Sequence, residues 1–147
     1  MKNSVSVKIK RQDVGGGLKG LEPKVRAGAI DGLNAIGLAM LATAKSKIQR
    51  GAKSGKVYRK YNPGRIHQSS APGQSPATDT GGLVNSGFHE MEERSLLVKI
   101  GFAKFYAAFL EYGTRRMAKR PFLSPTVEEW RSKIPAVIRA AIKARLK

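Results

Sequence analysis

The 147-residue sequence predicts an α+β fold: a long N-terminal helix and a C-terminal helix packed on a small antiparallel sheet, with a long extended basic loop. Three observations lead there. Apolar residues recur at i+3 and i+4 steps over residues 23 to about 50 and again after Pro125, which is the helical period. Val5, Val7 and Ile9 alternate with polar residues, and two further strand-like runs lie close together at 83–92 and 96–102. Residues 51–82 show no period and are rich in glycine, serine, proline and base. The simplest organisation is one domain, 1–147, long enough to bury roughly two-thirds of its unfolded surface.

The elements follow in order. After the first strand, glycines between positions 15 and 20 break the chain, and Pro23 opens a helix whose buried face is Leu33, Ile36, Met40, Ala44 and Ile48. Gly28, Gly32 and Gly37 cost that helix up to about 1 kcal/mol each against alanine but permit close helix packing. Gly51 supplies its stop. The 51–82 segment then reads as a flexible basic arm, because it lacks the apolar residues needed to offset about 1–2 kcal/mol of backbone entropy per residue. A partner would order it on assembly. The two strand runs, joined through Glu93, Arg94 and Ser95, form an antiparallel pair. Phe105, Phe109 and Tyr112 give two turns of helix ending at Gly113, and Ser124 with Pro125 starts the last helix, the serine as its cap. That helix buries Val127, Trp130, Ile134, Val137 or Ile138, and Ala141, with a kink at Pro135.

Charge narrows the function classes. With 28 lysines and arginines against 10 acids the formal net charge is +18, which attracts nucleic acid or acidic protein surface. No acid occurs between Asp31 and Asp79, and within that gap Lys53, Lys56, Arg59, Lys60 and Arg65 share the arm with Tyr58 and Tyr61. These residues are candidates for an acidic partner protein first and for the DNA backbone second, the tyrosines being able to stack. Sequence-specific DNA reading ranks last, since no helix-turn-helix or finger is recognisable. The absence of cysteine excludes disulfides and thiolate chemistry. The longest apolar run, within 35–44, is short of the roughly 20 residues a bilayer requires, no signal-peptide pattern opens the chain, and no membrane partner is expected.

Catalytic readings fare poorly. Asp79-Thr80-Gly81 is the aspartic-protease triplet, but it occurs once and follows Pro76-Ala77-Thr78, so a turn in which Asp79 or Thr80 caps a helical turn is the better reading. The glycines at 15–20 match G-x-G-x-x-G without a βαβ unit around them, and Gly51 to Lys56 is a residue short of a P-loop with no Ser or Thr after the lysine. His67 and His89 stand alone, without cysteine or an acidic cluster, so neither metal nor cofactor is expected. No G-x-S-x-G elbow supports a serine nucleophile. The expectation is a protein that is not an enzyme.

Two segments carry a family resemblance. Tyr106-Ala107, Leu110-Glu111-Tyr112-Gly113-Thr114 and Arg120-Pro121-Phe122-Leu123 resemble the YA, EFGT and RPF signature of the tail-completion or head–tail-joining proteins of tailed bacteriophages. Ser70-Ala71-Pro72-Gly73 with Pro76-Ala77-Thr78-Asp79-Thr80-Gly81 resembles that family's SAPG and PATDTG segment, in the same order. Tyr112 stands where phenylalanine is commoner, and Gly82 where a basic residue is common. The resemblance implies a small α+β virion subunit of a long-tailed phage. Such a subunit forms a ring, hexameric or dodecameric, in the neck between capsid connector and tail, and touches neighbouring neck and tail proteins. Its locations would be the virion and, during assembly, the host cytoplasm. The alternative is a non-specific nucleic-acid-binding protein, favoured by charge alone.

Candidate subunit-interface residues are Phe105, Tyr106, Phe109, Glu111, Tyr112, Gly113, Thr114, Arg120, Pro121 and Phe122. Within this set Glu111 is expected to pair with a base from the following turn, with Arg120 as its partner. Gly113 reverses the chain and Pro121-Phe122 leads it back, and a guanidinium fork fits both carboxylate oxygens.

Overall fold

The helix predicted from Leu33, Ile36, Met40, Ala44 and Ile48 is the central element of the molecule, and all five side chains are buried. The computed structural model describes residues 5–9, 23–61 and 64–147. In chain order these form β1 (Val5–Ile9), α1 (Pro23–Gln49), β2 (Val57–Tyr61), β3 (Gly64–Gln68), α2 (Gly82–Asn85), β4 (Gly87–Glu92), β5 (Leu97–Phe102), α3 (Ala107–Tyr112), α4 (Ser124–Arg131) and α5 (Ile134–Leu146). The glycine-rich stretch at 15–20 lies outside the described residues. A three-stranded antiparallel sheet, ordered β1-β5-β4, packs against α1, and α5 runs along another side of that helix. The protein is therefore α+β, as its periodicities predict.

Glycine explains how closely α1 is approached. A Cβ on Gly28 would lie 2.6 Å from the Ile142 Cα, and one on Gly32 would lie 3.0 Å from the Ile138 Cα, so both positions belong to the α5 contact. Gly37 lies on the other side by helical geometry, where a Cβ would meet His89 and Val98 of the sheet at 2.6 Å. The helix is long and apolar enough to cross a bilayer by length and composition alone, but its apolar face is the core shared with Val98, Ile100 and Phe102.

Three features differ from the sequence expectations. The start of the 83–92 run is helical, not extended: Gly81 takes φ 77°, the Gly82 amide donates to the Thr80 hydroxyl at 3.4 Å, and Leu83 and Val84 turn into the core as α2. The C-terminal helix is broken, not merely kinked, because Pro135 lacks the amide that a continuous helix would need, and α5 starts one residue before it. Thirdly, residues 51–82 contain the β2–β3 hairpin, in which Val57 pairs with Gln68 and Arg59 with Ile66. Its β-branched and aromatic residues suit a pleated ribbon, but Val57 and Ile66 lie on the exposed face and the covered face carries Arg65 and His67, so no apolar-inward alternation marks it in the sequence.

Candidate assembly interface

The two segments that carry the family resemblance, 70–81 and 106–123, are brought into contact by the fold. Helix α3 ends at Gly113, whose φ of 78° and ψ of −179° suit glycine alone, and a Cβ there would sit 2.9 Å from the Met117 carbonyl and the Lys119 amide. The chain turns tightly, with the Thr114 amide donating to the Met117 carbonyl at 2.8 Å. It then returns along α3, where the Arg120 amide donates to the Leu110 carbonyl at 2.6 Å. This return brings the start of α4 to Glu111.

Glu111 is 3% exposed and carries the centre of the arrangement. One carboxylate oxygen, Oε2, accepts the amides of Phe122 and Leu123, each at 3.0 Å, and Oε1 accepts the Ser124 amide at 2.7 Å together with the Ser124 hydroxyl. These amides lead into and open α4, Leu123 standing at its N-cap, where no intrahelical acceptor exists for them. A negative group at that end also opposes the positive pole of the helix. Glu111 thus caps α4 from a different helix. The expected pairing with Arg120 does not form, and no basic side chain of the 115–120 turn reaches the carboxylate. Ser124 is not the cap either, since its hydroxyl donates to Glu111.

Arg120 turns instead to the upstream segment. Its Nε donates to the carbonyl of Ser70, a residue 1% exposed, at 3.2 Å. The Gly73 amide donates to the Lys119 carbonyl at 2.9 Å, and the Ser75 hydroxyl to the Pro121 carbonyl at 3.3 Å. Gln74 holds the segment's own turn, its Oε1 accepting the Ala71 amide at 2.9 Å and the Ser54 hydroxyl at 2.7 Å. Below this seam lies a cavity of about 300 Å³, bordered by His67, Asp79, Tyr106 and Arg120 among others. Burial pushes the Tyr106 hydroxyl above the usual tyrosine range. Asp79 is engaged by Arg65 Nη2 at 2.9 Å and approached by His67 Nδ1 at 3.7 Å, so the protease-like triplet serves as an anchor for the hairpin.

No family model, curated protein or solved structure matches the chain.

The expected interface residues separate into two groups. Phe122 packs edge-on to Phe102 at 5.1 Å and is buried, as is Glu111, so both act within the protomer. Phe105, Phe109 and Tyr112 remain at the surface, at 65%, 41% and 71% exposure, with Phe105 stacked edge-on against Tyr106 and Phe109. Thr114 is exposed, and Gly113, Arg120 and Pro121 are half-buried. Of the basic candidates, Lys53, Lys56 and Arg59 are exposed, Arg65 is drawn to Asp79, and Lys60 lies at a β2 position paired with Arg65. Lys56 Nζ lies 5.7 Å from the centre of the Tyr58 ring. Ser70 and Gly73, the upstream half of the seam, were not singled out from sequence as contact residues. Nothing in a Ser-Ala-Pro-Gly string discloses a buried carbonyl. Among the described residues no cluster of His, Cys, Asp or Glu could hold a metal ion.

Proposed function

We propose that the chain is a structural virion subunit of a long-tailed phage, forming a ring in the neck that joins the capsid connector to the tail. The observation that carries this reading is the seam itself. Both stretches that resemble the tail-completion family meet through the Arg120 to Ser70 and Gly73 to Lys119 hydrogen bonds, and the downstream one is held in that position by Glu111 and Gly113, which are signature positions. The rigid seam leaves Phe105, Phe109 and Tyr112 outward, and large apolar side chains grouped at a surface are characteristic of subunit contacts. No covalent chemistry is assigned to the site.

A second reading, non-specific nucleic-acid binding, draws on the exposed Lys53, Lys56 and Arg59 beside Tyr58. Omission of the chain from an assembling phage distinguishes the two. The neck reading predicts filled heads and complete tails that accumulate unjoined and are joined when purified protein is added. Normal joining without the chain would remove the reading.

A further inference from the structure

We propose that the β2–β3 hairpin of one copy adds to the edge strand β4 of a second copy, a head-to-tail contact made by sheet extension, with Arg59 meeting Glu90. The inference rests on the ring reading and names the contact that closes it. Among the described residues β4 is an edge of the sheet order β1-β5-β4, so one side of it has no strand partner. Its register against β5 places Phe88, Glu90 and Glu92 on one face, with Glu90 and Glu92 both exposed. Lys99 stands opposite Glu90 on β5 but forms no ion pair with it.

The hairpin has the complementary pattern. Register sets Val57, Arg59 and Ile66 on its outer face, with Val57 56% and Ile66 68% exposed, while Arg65 and His67 on the inner face are held by Asp79. Tethered at one face and bare at the other, the ribbon offers an apolar and basic strand to an acidic edge. The same charges forbid the symmetric alternatives. Pairing β4 with β4 would set glutamates against glutamates, and pairing hairpin with hairpin would set Arg59 against the basic residues of β2. Of these three pairings the unlike one alone brings opposite charges together, and such a heterologous contact builds a ring where its rotation closes, not a two-fold dimer.

The chain has no cysteine, so engineered thiols report this contact alone. Arg59→Cys and Glu90→Cys are mixed and oxidised, with Ser132→Cys replacing the first as an exposed control and circular dichroism checking each fold. The proposal predicts a disulfide-linked band at twice the 16.0 kDa chain mass, enriched in the 59/90 mixture and absent from either variant alone. The double variant should give a ladder that ends at a closed species. A mixture no better linked than the control, or dominant 59–59 or 90–90 products, overturns the contact. So does finding that Arg59→Gln abolishes retention on duplex DNA while the 59/90 link never forms, because nucleic acid is then the hairpin's partner. An enriched link with an endless ladder supports the contact and removes the ring, whereas a wild-type ring without the link keeps the ring and removes the contact.

Discussion

Replacing Glu111 by glutamine removes one charge and almost no volume, yet it should cost far more than a surface substitution. The carboxylate accepts from four donors, two at each oxygen. Glutamine retains one oxygen, so two of those donors must face an NH₂ group. The Ser124 hydroxyl can rotate and accept, which leaves unpaired at least the part-buried Ser124 amide or, with the other amide orientation, the buried amides of Phe122 and Leu123. An unpaired buried amide costs about 1–3 kcal/mol, and hydrogen bonds to a charged acceptor exceed neutral ones by about 1 kcal/mol, so Glu111→Gln should destabilise by about 2–4 kcal/mol. Ser124→Ala, which removes a single hydroxyl, should cost about 1 kcal/mol. Urea unfolding followed by circular dichroism would show the loss as a midpoint about 1–2 M lower at unchanged slope. Arg120→Lys supplies the contrast, because its Nε makes a single charge-assisted hydrogen bond, to the Ser70 carbonyl, and its charge is not required at Glu111. A Glu111→Gln loss under about 0.5 kcal/mol, the range of ordinary surface changes, would refute the capping argument.

Gly28→Ala tests the approach of α5: an exposed helical glycine would gain up to about 1 kcal/mol from alanine, but the 2.6 Å clash with the Ile142 backbone should reverse the sign and cost about 1–3 kcal/mol in thermal or urea unfolding. Gly113→Ala combines a φ of 78° at extended ψ with a 2.9 Å backbone contact, so a loss of about 3 kcal/mol is expected, and a neutral result would contradict the turn as described. Lys47 donates to Glu129 Oε2 at 2.8 Å and holds that carboxyl below its ordinary value. The pair therefore adds stability above the unfolded carboxylate pKa and loses it as pH falls through the lowered folded value. In Lys47→Met the Glu129 titration, followed by NMR, should move up towards 4.5, and an unmoved titration would show that Lys47 is not the cause.

Most of the architecture was legible because it depends on periodicity. The i+3 and i+4 steps from Leu33 to Ile48 identified the central helix and its buried face, the Val5, Val7 and Ile9 alternation identified β1, and Gly113 and Pro125 marked the end of α3 and the start of α4. What escaped depends on long-range satisfaction of polar groups. Glu111 looks like any helical carboxylate until the chain returns and places three amides against it. The sequence reading gave it a cation because charge is visible in a sequence and a helix's unpaired amides are not. The β2–β3 hairpin escaped for a different reason, since Val57 and Ile66 both face outward and thus produce no contrast between a wet and a dry face. Its exposed Val57 and Ile66 are the apolar residues that the proposed contact with β4 would cover.

The central claim is that this chain forms a ring at the junction of head and tail, and cryo-electron microscopy of purified particles carrying a tagged copy tests it most directly. The account predicts a closed ring of several copies between connector and tail tube, with α3 aromatic residues at subunit contacts. A single copy per particle, or a protein found only with packaged DNA, would contradict it.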